Sequence, residues 1–379
     1  MPPIRLFKAS SFHACALAAF YAERPGLAEA SHAEQWRALC SDLLVGTDFW
    51  QEGLEASGKF VVFETVLNCA PLQHAWAREN GFAERENLGI LLAQIERFAP
   101  VVLFSHDFET LGPEFRSEAR RRTPSIRLVF GWDGIARNDY AKFAGCKIML
   151  SCIPHVVDFY KSQGANAYLF PYSFADNLVN RLPAGDSSIP LSFVGSVQLK
   201  SQLHFQRAEL LYRALRELPL SIHGTGSITK WRLSEREQRR RLRHFEFRLA
   251  WVARVLGKAN CGELFGIPMF ATIAKSAITL NIHIDAARGQ ASNMRLFEAT
   301  GAGACLLTDW QEDLGNYFEP DVEVATFRNA DELVSKARFL LENPDERERI
   351  AQAGRARTMR EHLFSHRVER LEEILLRHL

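Results

Sequence analysis

Short apolar runs rich in branched and aromatic residues alternate with longer helical stretches along nearly the whole chain, the pattern of parallel sheets covered by helices on both faces. In the first half the runs that predict strands are Ile4–Phe7, Phe60–Phe63, Val101–Phe104, Ile126–Phe130, Lys147–Leu150 and Ala167–Phe170. Helical segments separate them, among them Ala33–Leu44, Pro71–Asn80 and Glu84–Phe98. Between Ala175 and Ser188 the text turns to Asn, Asp, Pro, Gly and Ser, which predicts a linker. A second alternating set then opens with Leu191–Ser196, a helix from Phe205 to Leu218, the strand Leu220–His223 and the strand Ala277–Leu280.

The expected architecture is α/β with two Rossmann-like domains facing each other across a cleft, because ligands bind outside the carboxyl ends of parallel strands. The boundaries predicted are 1–180 for the first domain and 187–364 for the second, with the terminal helix 365–379 returning to complete the first.

The segment Asn281–Asp309 adds chemistry to that frame. It reads as strand end, open loop with Gly289, capped helix, glycine stop and strand. Ser292 and Asn293 are good caps for a helix starting near Met294 and stopping at Gly301. A helix start at the carboxyl end of a strand offers unpaired N–H groups and partial positive charge to a phosphate. Glu298 follows one turn in, and a carboxylate can clamp the vicinal diol of a ribose. Two blander readings stay open: Arg295 and Glu298 as a surface ion pair, and Gly301 with Gly303 as a plain helix stop.

The run Asn281-Ile282-His283, then Met294-Arg295-Leu296-Phe297-Glu298-Ala299-Thr300-Gly301-Ala302-Gly303, then Leu306-Leu307-Thr308-Asp309 resembles the donor-site block of GT-B glycosyltransferases. It is most similar to the group-1-like branch that includes CgeB-type proteins, over about Leu191 to His366. The resemblance implies a nucleotide-sugar donor, here UDP-like in the simplest case, with Glu298 on the ribose and Ser292, Asn293 and Arg295 near the diphosphate. It also implies a basic residue after the Gly195-Ser196 turn, for which Arg207 fits best and Lys200 is the other choice. Lys275 is a further candidate cation. Gln290 stands where retaining members carry an acid, eight positions before Glu298, so the resemblance fixes no stereochemical outcome.

For the proton transfer, His106-Asp107 after the strand Val101–Phe104 and Asp133 after the strand Ile126–Phe130 are the candidate catalytic residues. No D-x-D triplet occurs, so the expectation is metal-independent transfer with no cofactor beyond the donor. His362 and His366 are four apart, but no third ligand neighbours them in sequence. The acceptor expected is a glycan, a lipid-linked glycan or a protein. A nucleotide-sugar 2-epimerase and a non-catalytic nucleotide-sugar binder are the alternatives.

Composition trims the remaining classes. With 47% hydrophobic and 24% charged residues and a net charge of +1, the chain is an ordinary globular protein and not a globally basic nucleic-acid binder. Seven cysteines without a C-x-x-C pair read as buried thiols of a reducing, cytoplasmic compartment. No apolar run is long enough to span a membrane. The apolar stretch Ala14–Phe20 reads as an amphipathic helix rather than a leader, because His13 interrupts it.

Charge is concentrated at 230–258, with ten Lys or Arg against three Glu. There Arg232, Arg236, Arg239, Arg240, Arg243 and Arg254 form a stripe between two apolar faces. Leu242, Phe245, Leu249, Val252 and Leu256 make one face, and Phe247, Trp251 and Val255 the other. Two readings stand: a peripheral contact with the inner membrane face or an acidic partner, and a solvated basic helix whose second face packs on a neighbour.

Overall fold

The computed structural model describes residues 2–42, 50–83, 86–134, 141–183, 186–197, 204–225 and 245–379. The chain divides into two compact units, Met1–Pro171 with Phe364–Leu379, and Tyr172–Leu363.

The first unit is built on the strands β1 (Ile4–Ser10), β2 (Phe60–Val66), β3 (Val102–Ser105), β4 (Leu128–Trp132), β5 (Ile148–Ser151) and β6 (Asn166–Leu169). All pair in parallel, in the order β2-β1-β3-β4-β5-β6. Its helices are α1 (Ala14–Ala22), α2 (His32–Ser41), α3 (Gln51–Ala56), α4 (Ala70–Glu79), α5 (Asn87–Phe98), α6 (Pro113–Arg122) and α7 (Pro154–Ser162). Strands β3, β4 and β5 are buried along their whole length, which explains why they read as unbroken apolar runs rather than as alternating ones. Helix α2 starts where a capping box permits: the Ser31 side chain accepts from the Glu34 N–H while Glu34 accepts from the Ser31 N–H.

The second unit carries β7 (Ile189–Ser196), α8 (Phe205–Glu217), β8 (Leu220–Thr225), α9 (Phe245–Ala259), α10 (Gly266–Ala274), β9 (Ser276–Asn281), α11 (Arg295–Gly301), β10 (Cys305–Asp309), β11 (Ala325–Phe327), α12 (Ala330–Glu342) and α13 (Pro344–Glu361). Its strands are also parallel, in the order β8-β7-β9-β10-β11.

The last helix, α14 (Phe364–His378), belongs to the first unit. Its Phe364 stacks on Trp50 at 6.0 Å between ring centroids, and Trp50 in turn stacks on Phe104 at 4.6 Å. Lys59 pairs with the buried carboxylate of Glu372 at 2.7 Å. Beneath these rings Lys8 and Glu64 form a buried ion pair at 3.2 Å, and Glu64 also accepts the N–H groups of Trp50 and Gln51 at the start of α3. Nothing in the local pattern announces that pair, because its members are far apart in sequence.

In each sheet the strand order reverses direction once, between β1 and β3 in the first unit and between β7 and β9 in the second. At such a switch point the helices leave to opposite faces and a crevice opens at the carboxyl ends of the two strands. The loops that follow β1, β3, β7 and β9 are therefore the places to look for function.

All seven cysteines are free, and Cys15 and Cys261 are exposed rather than buried. Among the described residues no helix is long and apolar enough to cross a membrane.

Candidate active site

At the switch point of the second unit, Arg207 on α8 reaches across the crevice. Its guanidinium donates from Nε at 3.0 Å and from Nη2 at 2.6 Å to the Ile282 carbonyl beyond β9, and from Nη1 at 2.7 Å to the Ser196 carbonyl that ends β7. The side chain is 4% exposed, and burial pulls its pKa down to about 10, with Asp309 and Asp285 opposing that shift. Arg207 thus arrives as a clamp on two strand ends, with its donors already engaged, and not as a loose cation. Gly195 lies beside it, where an added Cβ would come within 3.2 Å of the Phe193 ring. Lys200 lies outside the described residues.

Helix α11 brings the next candidates. Glu298 is 1% exposed, and its Oε2 lies 2.8 Å from Arg295 Nη1. The pair is therefore buried, which removes the surface ion-pair reading: two charges are withdrawn from water only where geometry or a ligand compensates them. Asn293 performs part of the capping expected of it, because its Oδ1 accepts from the Arg295 N–H at 3.1 Å. Its Nδ2 donates to Asn281 Oδ1 at 2.8 Å and so ties the loop to the end of β9.

Three details differ from the expectation. Met294, not Ser292 or Asn293, occupies the N-cap position and has no side-chain cap; Ser292 is half-buried in the preceding loop. The helix runs on to an Ala302 cap, and the left-handed turn falls at Gly303, with φ of 87°. Gly301 is small for a different reason, since a Cβ there would lie 2.4 Å from the Phe174 ring. With seven residues α11 has only a modest dipole, so anionic ligand charge has to be met by side chains.

Lys275 is a correction. It caps α10 just before β9, and its carbonyl accepts from the Ile189 N–H at the start of β7. That is the amino edge of the sheet, the end opposite the switch-point crevice, so it cannot line a site there.

Two residues that were only part of the motif turn out to be central. Asp309 ends β10 and His283 lies two residues past the end of the adjacent β9, with Thr308 paired to Asn281 in the register. His283 Nδ1 lies 2.7 Å from Asp309 Oδ1, and Gln311 Nε2 donates to Asp309 Oδ2 at 2.8 Å. Asn281 Nδ2 donates to Thr308 Oγ1 at 2.9 Å, so a polar network runs across the carboxyl edge. Polar residues at the last position of otherwise apolar strands were the available signal. Asp285 adds a carboxylate at the same edge, accepting from the Phe205 N–H at the start of α8 at 2.9 Å.

In the first unit the switch point joins Ser11 after β1 to Asp107 after β3, with Ser11 Oγ donating to Asp107 Oδ2 at 2.7 Å. Asp107 also accepts from the Glu109 and Thr110 N–H groups at 3.1 Å and from the Thr110 hydroxyl at 2.8 Å. Burial pushes its pKa up, but the Ser11 and Thr110 bonds outweigh burial and leave it below the ordinary carboxylate range. Such a carboxylate shapes its loop and is a weak base. Asp133 is 2% exposed and accepts the Tyr160 hydroxyl at 2.6 Å, which holds it within the fold. His106 is half-buried with its ring over Phe104 at 5.7 Å, and it is the imidazole that stands at this switch point.

Elsewhere, the metal reading of His362 finds no support: its Nε2 faces the Tyr317 carbonyl at 2.9 Å, and the ring packs on Phe297 and Phe318. Among the described residues no group of three metal-ligating side chains occurs. Of the basic segment, Arg232, Arg236, Arg239, Arg240 and Arg243 lie outside the described residues. In the described part Val252 and Leu256 are buried as the wheel requires, Arg254 is exposed, and Trp251 is 50% exposed with its edge against Tyr212.

Comparison with known proteins reaches the same region. Residues 206–373 match the family model described as glycosyl transferase-like. The HepE structure from Anabaena in complex with UDP-glucose superposes with a TM-score of 0.60 at 9% identity, over 98% of this chain and 99% of HepE. Sucrose-phosphate synthase from Thermosynechococcus elongatus gives 0.56 at 10% identity, over 99% of this chain and 98% of that one. The chain has the GT-B fold, and its region 206–373 is glycosyl transferase-like. A lipopolysaccharide outer core galactosyltransferase, WaaB, shares this fold with a TM-score of 0.51 at 12% identity, over 99% of this chain and all of WaaB. No curated protein matches this chain by sequence.

Proposed function

We propose that this glycosyltransferase moves a sugar from a uridine-diphosphate carrier to a hydroxyl of a glycan, lipid-linked glycan or protein, without a metal ion. The observation that carries the reading is the Glu298–Arg295 pair, ionic and buried at the carboxyl edge of the second sheet. A buried carboxylate accepts the two hydroxyls of a ribose, and the adjacent guanidinium answers the charge of a diphosphate. The structures of HepE with UDP-glucose and with UDP, which share the fold, support the choice of carrier. In the first unit, His106 is the group we assign to the acceptor proton. As the acceptor oxygen bonds to the anomeric carbon its proton passes to the imidazole, and the bond from that carbon to the diphosphate breaks with its electron pair leaving on the diphosphate. For the basic segment 230–258 we propose a peripheral contact with an anionic membrane face. Replacing Arg239, Arg240 and Arg243 by Glu is then expected to abolish sedimentation with anionic liposomes.

The test of the main reading is incubation with UDP-, GDP- and dTDP-sugars, with and without a chelator. Release of UDP that survives chelation is the expected result. Isomerised donor would instead make the protein an epimerase, and a thermal shift without turnover would make it a binder; either result overturns transfer.

A further inference from the structure

His283 is a buried titratable group that the donor reading leaves without a task. It stands just past β9 at the switch point of the second unit and is 4% exposed. One contact orients its ring, and the backbone N–H and Gln311 brace the carboxylate that makes it. Nδ1 faces Asp309 Oδ1 at 2.7 Å, and the His283 backbone N–H is shared between the two Asp309 oxygens at 3.0 and 3.1 Å. Gln311 Nε2 holds the far side of the same carboxylate at 2.8 Å. A carboxylate at Nδ1 assigns the proton to that nitrogen, so a neutral ring keeps its lone pair at Nε2. Nε2 is closed to solvent and has no hydrogen-bond partner among the described residues. A ring kept only for packing needs neither the carboxylate nor the glutamine, because a phenylalanine fills a similar space. A buried acceptor so firmly aimed, yet unmatched, calls for a ligand donor.

Arg207 gives an independent reason to place that ligand here, since it binds the carbonyl of Ile282, the residue next to His283, and so holds this side of the crevice open in a defined shape. A lone pair selects a hydroxyl over a phosphate oxygen, which has no proton to give at neutral pH. With the ribose diol assigned to Glu298, the hydroxyls that remain are those of the transferred sugar.

We propose that His283 is a specificity residue of the donor site, its Nε2 accepting a hydrogen bond from a hydroxyl of the sugar, with Asp309 and Gln311 as positioning residues that aim the ring. The proposal rests on the nucleotide-sugar reading above. Its test is calorimetric titration of UDP and of UDP-glucose into the wild type, His283→Phe, His283→Gln and Asp309→Asn, each first checked for native circular dichroism.

For His283→Phe the expected outcome is unchanged affinity for UDP and about tenfold weaker binding of UDP-glucose. His283→Gln, which keeps an acceptor, should recover part of the preference. Asp309→Asn, which loosens the ring, should weaken UDP-glucose binding selectively and to a smaller extent. Equal loss for UDP and UDP-glucose would move the contact to the nucleotide half and overturn the proposal. So would a His283→Phe protein that binds both ligands as the wild type does. A wild type that binds neither ligand overturns the donor reading as well, whereas a wild type that binds both and is insensitive to His283 overturns this inference alone.

Discussion

At the residue scale the site is governed by burial of charge. Glu298 is the buried carboxylate beside Arg295, so truncating it leaves the Arg295 charge without that counter-ion in a dry environment. Glu298→Ala is expected to lower stability by about 3–5 kcal/mol in urea unfolding as well as to abolish UDP binding. Glu298→Gln separates the two effects: it keeps one acceptor for Arg295 and should lose mainly ligand affinity. A Glu298→Gln protein that binds UDP like the wild type would dismiss the ribose assignment.

His204 gives a pH prediction from the same physics. Burial, and then the Arg207 charge, hold its pKa down at about 3, whereas the unfolded chain titrates near the ordinary histidine value of about 6.5. Below that value the unfolded state binds the extra proton, so the contribution of His204 is complete above about pH 6.5 and is lost as pH falls toward 3. Between pH 7.5 and pH 5 the wild type should lose about 1–2 kcal/mol more than His204→Asn, read as a difference between denaturation midpoints at the two pH values.

At the element scale, glycines and caps decide where chain segments stop. Within α11, Gly301→Ala would gain about 1 kcal/mol of helix propensity. The new methyl group would stand 2.4 Å from the ring of the fully buried Phe174, and overpacking of that kind costs about 1–3 kcal/mol. Steric strain should win, so a lowered melting temperature for Gly301→Ala is expected. A raised one would show that Phe174 can move aside. Asn329 makes the opposite case, because its Oδ1 accepts from both Asp331 and Glu332 N–H groups at the start of α12. Asn329→Ala should cost about 1 kcal/mol in urea unfolding and leave UDP binding as it is.

For the whole molecule, the return of α14 to the first unit couples the two ends of the chain. Leu371, Ile374 and Leu375 are buried there, and Phe364 closes the aromatic stack over Trp50. Removing residues 364–379 takes that surface away from the first unit. Limited proteolysis of the truncated protein should therefore degrade 1–171 and leave a protected fragment over the second unit. Equal protection of both halves would mean that α14 contributes little to the first unit.

How much of this was legible beforehand depends on how far apart the cooperating residues lie. Strands β3, β4 and β5 of the first sheet were visible as unbroken apolar runs because a strand buried on both faces has to be apolar along its length. Glu298 and Arg295 were visible because three residues on one helix fix their proximity. Lys275 was misplaced because a basic side chain beside a strand reads alike at either end, and only the strand direction shows it at the amino edge. Arg207 is legible in sequence as a basic residue, but its engagement with Ser196 and Ile282 depends on β7 and β9 being neighbours. The His283–Asp309 pair likewise exists only because β9 and β10 lie side by side in register. Periodicity and local chemistry, which act over a few residues, were set by the sequence alone. Strand order decides which distant ends share a crevice, and with it which charges are clamped, buried or left facing a ligand; only the tertiary structure settled that.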